Sequence, residues 1–184
     1  MVALRKLRME DASIMLEWMH DWNVTRYLRR NFDSMTIKDC EDFIKKSWED
    51  NHNMHLAIAD NDDKYIGTAS LKHITSDSAE FAIVMSRCGM GKGYAIEGMR
   101  QILEKGFKEL ELKNIYWSVS NDNLRAIRFY DKNRYKKISI DELCDDLSIY
   151  IGDLATRGGY SLKETKNYIW YLASREADNM ERQM

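Results

Sequence analysis

Three glycines spaced two apart, Gly89, Gly91 and Gly93, lie in the run Val84-Met85-Ser86-Arg87-Cys88-Gly89-Met90-Gly91-Lys92-Gly93-Tyr94-Ala95. An apolar, strand-like segment precedes them and a long amphipathic stretch follows. Glycine lets the backbone adopt dihedrals closed to other residues and lets it approach a ligand closely. The first-turn amides of the helix beyond have no partner within the helix, and the helix dipole favours an anion there. Such a loop can hold a phosphate without a metal. A plain strand-to-helix turn would use the same glycines, and the glycines alone do not separate the two. Tyr94 stands where a G-x-G-x-x-G motif begun at Gly89 needs its last glycine, and it also breaks the lysine-serine phosphate-loop pattern.

Cys88 precedes the glycines and would suggest a covalent route, but no adjacent His or Asp could activate it, so a buried structural cysteine is expected. Cys40, Cys88 and Cys144 lie far apart without a C-x-x-C spacing, so neither a disulfide framework nor a metal cluster is indicated.

The elements that must carry this loop follow from periodicity. Residues 2–8 alternate and predict a strand. Asp11-Ala12-Ser13 offers caps for a helix on which Ile14, Met15, Trp18, Met19 and Trp22 recur, and Thr36 caps a second helix running to Trp48. Residues 54–59, 65–73 and 79–85 predict a three-stranded meander with turns at Asn61-Asp62-Asp63 and Ser76-Asp77-Ser78. Beyond the glycines, Ala95, Met99, Ile102, Leu103, Gly106 and Leu110 share one helix face. A strand at 114–119, a helix at 123–132, a strand at 135–140 and a last strand at 167–172 complete the pattern. Residues 1–174 read as one domain and the polar residues 175–184 as a frayed tail.

The segment Met90-Gly91-Lys92-Gly93-Tyr94-Ala95 resembles the acetyl-coenzyme A signature R/Q-x-x-G-x-G/A of the GNAT superfamily, with Met90 in place of Arg or Gln. The run Asn121 to Tyr135 resembles the second signature, N-x-x-A-x-x-x-Y-x-K-x-G-F. Asn123, Ala126, Tyr130 and Lys132 match it, Asn133 replaces Gly and Tyr135 replaces Phe. Asparagine is expected to substitute because it tolerates a left-handed conformation at a helix end. Trp18-x-x-Asp21-x-x-Val24-x-x-Tyr27 is similar to a pattern of the ribosomal-protein, polyamine and nucleotide-amino-sugar acetyltransferases. The resemblance covers about residues 2–140.

It implies an α/β fold of the α+β type, with a mixed, mostly antiparallel sheet splayed open at its centre. It also implies transfer of acetyl from acetyl-coenzyme A to a primary amine by direct attack in a ternary complex. The cosubstrate would lie on Ile83, Val84, Met85, Met90, Gly91, Lys92, Gly93, Tyr94, Ala95 and Asn123. Tyr130 would protonate the departing thiolate, a balanced transfer because a phenol titrates near ~10. Glu80 would take the proton from the amine, which is not nucleophilic until it loses one. His73 is a weaker candidate for that task. Trp22, Arg26 and Tyr27, with Glu80, would line the acceptor site. Helix spacing by itself accounts for Tyr130 and Trp18 as packing residues. A non-catalytic acyl-coenzyme A-binding domain and an enzyme for longer acyl chains are the rival readings.

Composition bounds the partners. With 28 basic and 30 acidic residues the net charge is −2, so no basic excess points to nucleic acid. No run of about 18 apolar residues suggests a membrane span, and the amino terminus lacks a secretory pattern, so a cytoplasmic protein is expected. The acceptor would be a small-molecule or peptide amine. Residues 141–166 exceed the usual link between the last two strands and would shape the acceptor site or a homodimer contact. The acidic stretch 141–146 would attract a polyamine or lie as a solvated turn.

Overall fold

The computed structural model describes residues 1–175. Seven strands form one sheet in the order β1-β2-β3-β4-β5-β7-β6. They are β1 (Ala3–Lys6), β2 (Met54–Ala59), β3 (Tyr65–Lys72), β4 (Ser78–Met85), β5 (Asn114–Ser120), β6 (Lys136–Ile138) and β7 (Tyr168–Ser174). Neighbours run antiparallel except β4 and β5, which are parallel. Parallel neighbours need a crossover, and here it is the helix that follows the glycines.

The helices are α1 (Ala12–Met19), α2 (Trp22–Thr25), α3 (Ile37–Glu49), α4 (Tyr94–Lys108), α5 (Leu124–Lys132), α6 (Ile140–Leu147) and α7 (Ile151–Gly158). One face of the sheet packs on α4 and α5 through a core that includes Phe81, Met99, Ile102, Trp117, Tyr130 and Tyr171. The other face carries two separate clusters. One holds Met15, Trp18, Cys40, Ile44 and Tyr65 under α1 and α3. The second holds Tyr116, Leu143, Leu154, Tyr160 and Trp170 under α6 and α7. Between these two clusters lie the ends of β4 and β5, whose pairing stops after three residues, and this cleft divides that face.

Five differences from the sequence reading have local causes. Trp22 does not continue α1. Asp21 accepts from the Asn23 amide at 3.0 Å, starts the separate α2, and leaves Trp22 66% exposed. Cys88 is exposed rather than buried, because Arg87–Gly89 form a 3-10 turn that points it outward. The left-handed residue after α5 is Arg134 (φ 60°), whereas Asn133 keeps φ −91° and donates its Nδ2 to Phe129 O at 2.7 Å. Residues 141–166 contain α6 and α7, the first capped by Ser139 and Glu142 in a reciprocal box. Arg175 is held, its amide donating to Lys113 O at 2.9 Å. Residues 176–184 of the expected tail lie outside the described residues.

Candidate active site

The register of β4 decides what the opening offers. Ser86 N donates to Ile66 O at 2.9 Å, so the even-numbered residues of β4 turn their backbone groups toward β3 and the odd ones toward β5. β5 pairs with β4 only at Ser78↔Asn114, Ala79↔Ile115 and Glu80↔Tyr116. Past that junction the two strands separate. The amides and carbonyls of Ile83 and Met85 then face the opening. Val84 does not share this placement: its backbone belongs to the β3 ladder and its side chain packs beside α1 and α3.

At the head of the opening, Gly91 and Gly93 adopt φ +77° and +78°, and a Cβ added at either would meet no atom within 4 Å. Gly93 is the N-cap of α4 and provides no side-chain cap. Among the described residues, the amides of Gly91, Lys92, Gly93, Tyr94 and Ala95 donate to no protein acceptor. Five free amides at a helix N-terminus, on backbone bent by glycine, fit a pyrophosphate. Lys92 is exposed beside them. Met90 packs against the core, and Arg125 of α5 places Nη1 2.9 Å from its Sδ. A guanidinium therefore reaches the position that the sequence leaves uncharged.

Asn123 has a structural duty. Its Oδ1 accepts from Ala126 N at 3.1 Å and caps α5, leaving its Nδ2 as the group that could reach a ligand. Tyr130, on α5, is 6% exposed and sits among the rings of Trp117 (5.3 Å), Phe129 (5.0 Å), Tyr171 (5.1 Å) and Tyr135 (6.1 Å). Burial among these rings, with Tyr135 and Tyr171 adding to it, pushes its phenol above the usual range. Trp117 is the first β5 residue past the junction, so Tyr130 flanks the place where the strands part.

Glu80 flanks the same place from the opposite face. It is 7% exposed, with Oε1 accepting from Lys72 Nζ at 2.8 Å and Oε2 3.5 Å from His73 Nε2. Lys72 is its cross-strand partner on β3. Burial lowers the His73 pKa and Glu80 opposes this, while Lys72, Arg157 and Arg29 lower it further. His73 also holds φ +52°, a conformation that non-glycine residues adopt sparingly.

The expected acceptor residues are only partly assembled. Arg26 stacks on Trp22 (5.0 Å) and Tyr27 (4.8 Å), a cluster among themselves on the α2 turn. The residue of this loop that reaches across the cleft is Arg29, whose guanidinium lies 3.5 Å from the Tyr160 ring centre and donates to Gly158 O. Tyr160 in turn bonds Ser118 of β5. Sequence reasoning missed Arg29, Lys72, Tyr116, Arg157 and Tyr160. Lys72 was findable from the hairpin, since the register pairs it with Glu80. The others meet only through tertiary packing. A depression of about 320 Å³ lined by Trp18, Asp21, Ser86, Arg87 and Cys88 lies beside α1; neither Tyr130 nor Glu80 lines it.

Comparison with known proteins identifies the family and the fold. Residues 2–136 match the family model described as an acetyltransferase (GNAT) domain. The chain is 28% identical over 143 residues to N-acetyltransferase p20 of Bacillus licheniformis, across 74% of this chain and 79% of that protein. It is 26% identical over 134 residues to spermidine N(1)-acetyltransferase of Vibrio cholerae, across 71% and 76%. The structure of the V. cholerae spermidine N-acetyltransferase with CoA and spermine aligns with TM-score 0.68 at 24% identity, over 75% of this chain and 82% of that one. The Campylobacter jejuni N-acetyltransferase PseH with acetyl coenzyme A aligns with TM-score 0.62 at 16% identity, over 95% and 99%. At these identities the structural likenesses establish the fold, and the family model establishes the family. The chain belongs to the GNAT superfamily and is an acetyl-coenzyme A-dependent N-acetyltransferase.

Proposed function

We propose that this enzyme acetylates a small primary amine at the junction where β4 and β5 part, with Glu80 as base and Tyr130 as acid. The observation that carries the reading is the placement of these two side chains on opposite faces of one three-residue parallel pairing, at the foot of the amide-lined opening. The donor supplies a thioester carbonyl for the amine to attack and a thiolate to leave.

The amides of Gly91 to Ala95 hold the pyrophosphate, aided by Lys92 and by Arg125 above Met90. The free backbone groups of Ile83 and Met85 align the pantetheine arm as an added strand would, and Asn123 Nδ2 donates to it. Glu80 removes the ammonium proton, directly or through a water, so the nitrogen lone pair becomes available. Lys72 fixes the orientation of the carboxylate, and His73, held mostly neutral, can relay the proton outward. Tyr130 transfers its proton to sulfur as the carbon–sulfur bond breaks. Its raised affinity for that proton keeps it charged with one until a strongly basic thiolate develops beside it. Nitrogen gives up two protons in all: the first leaves through Glu80 to solvent before attack, and the second, lost as the carbon–nitrogen bond forms, replaces the one that Tyr130 delivers to sulfur.

Thiol release from acetyl-coenzyme A, followed with amine acceptors on wild type, Glu80→Gln and Tyr130→Phe, tests the assignment. Both variants should retain coenzyme A binding and lose turnover. Wild-type binding without turnover on any amine would favour the non-catalytic reading instead.

A further inference from the structure

We infer that the acceptor carries an anionic group, a phosphate or a carboxylate, beside its amine, and that Arg29 and Arg157 hold that group. The inference rests on the acetyl-transfer reading above and concerns the same cleft. Both guanidiniums stand close enough to His73 to disfavour its protonation, and His73 touches Glu80. Arg157 lies alongside the Tyr116 hydroxyl, and Tyr116 is the register partner of Glu80. Arg29 stacks on Tyr160, whose hydroxyl bonds Ser118, two residues beyond Tyr116 on the same face of the sheet. One cation, Lys72 of β3, touches the base, and two exposed ones, Arg29 of the α2–α3 loop and Arg157 of α7, act on the His73 beside it.

The charges do not cancel locally. Lys72 is neutralised by Glu80 at 2.8 Å. Among the described residues neither Arg29 nor Arg157 forms an ion pair; the one acid that acts on Arg29, Glu164, attracts it without contact and accepts from the Ser161 amide at 2.7 Å. The acidic residues Asp141, Glu142, Asp145 and Asp146 are exposed on α6, where Glu142 caps its own helix at Ser139. None of them acts on His73, Tyr116 or Tyr160. A second observation points the same way: the Tyr116 hydroxyl, on a residue 2% exposed, has Arg157 beside it as a donor and no acceptor for its own proton. An anion drawing Arg157 inward would give that hydroxyl an acceptor. Guanidiniums present paired donors that match carboxylate and phosphate oxygens. A polyamine, by contrast, would bring its second ammonium toward two cations without ion pairs, while Glu80 is already bonded to Lys72.

The test compares four primary amines of similar length with the full chain and acetyl-coenzyme A. Ethanolamine is neutral apart from the reacting amine, O-phosphoethanolamine adds a phosphate, β-alanine adds a carboxylate and putrescine adds a second cation. At least one anionic acceptor should exceed ethanolamine about tenfold in kcat/KM, the worth of one charge-assisted hydrogen bond, and putrescine should fall below it. Which of the two leads separates phosphate from carboxylate. Arg157→Gln and Arg29→Gln should each cut the anionic advantage about fivefold while ethanolamine changes less than about twofold. Preference for putrescine, or equal losses on all four amines in both variants, overturns the inference. Should none turn over, thermal shifts of the coenzyme A complex with the same four compounds decide. Greater stabilisation by either anionic compound than by putrescine upholds it, and equal or reversed shifts overturn it. A chain that gives no thermal shift with coenzyme A itself fails on donor binding, and the acetyl-transfer reading falls with it.

Discussion

Replacing Gly93 by alanine adds one methyl group to open space, because a Cβ there meets no atom within 4 Å. The cost must therefore come from the backbone, which holds φ +78° at the N-cap of α4. A left-handed conformation costs an L-residue about 1–2 kcal/mol. Loss of glycine's freedom in the unfolded chain returns about 0.4–1 kcal/mol. The net loss is about 1 kcal/mol, or roughly 2–4 °C in Tm for a chain of this size. Gly152 provides the matched control: it lies inside α7, with the same open space and no left-handed angle. Gly152→Ala should raise stability by roughly 0.5–1 kcal/mol. The two variants should also diverge in coenzyme A affinity by calorimetry. If Gly93→Ala relaxes φ to escape its strain, the first-turn amides turn away, and losing one charge-assisted hydrogen bond weakens binding at least about tenfold. Gly152→Ala should bind as wild type. A Gly93→Ala protein as stable as wild type with undiminished affinity would refute the argument that this loop is bent for a phosphate.

Tyr130→Phe should lower kcat about 10²-fold with coenzyme A affinity unchanged, whereas Tyr130→Ala, emptying a site among four rings, should cost about 3–5 kcal/mol in chemical denaturation. Glu80→Gln strands Lys72 and should destabilise by about 1–3 kcal/mol; adding Lys72→Met should recover most of that stability and none of the activity, a separation that a purely structural Glu80 would not produce. Arg125→Gln should weaken coenzyme A binding about tenfold by calorimetry, more at low salt than at high. His55, half-buried against Phe43 and bonded to Ser70 Oγ at 2.8 Å, has its pKa lowered to about 4 by desolvation. The folded state therefore binds fewer protons than the unfolded state between that value and about 6.5. Stability is complete above the unfolded value and declines as pH falls toward the folded one. The decline should be about 2 kcal/mol between pH 7 and pH 5, read by urea denaturation, and His55→Gln should flatten it.

Where function is carried by local chemistry, the sequence was legible. The glycine run sits between a strand and a helix as its pattern requires, because the left-handed angles at Gly91 and Gly93 are a property of those residues. The meander at β2, β3 and β4 followed from alternation and turn residues, and Thr36 caps α3 with Asp39 in return. A reciprocal box also marks α6 at Ser139 and Glu142, a signal present in the sequence that the reading of this stretch as a long link did not use. Legibility ends where partners are remote. Nothing near Arg29 in the chain announces Gly158 or Tyr160, which the fold brings from the end of α7 and just past it. The direction of Val84 likewise depends on one backbone bond between Ser86 and Ile66. The Asn133 expectation failed because its amide found Phe129 O, and the left-handed turn passed to Arg134.

The central claim is that one junction between β4 and β5 joins a donor site on one face to an acceptor site on the other. Pre-steady-state thiol release from acetyl-coenzyme A, with an accepted amine and the wild-type, Tyr130→Phe and Glu80→Gln proteins, tests it most directly. The account predicts that both variants bind acetyl-coenzyme A as tightly as wild type yet release thiol at least about 10²-fold more slowly. Full-rate release by either variant at saturating substrates would contradict it.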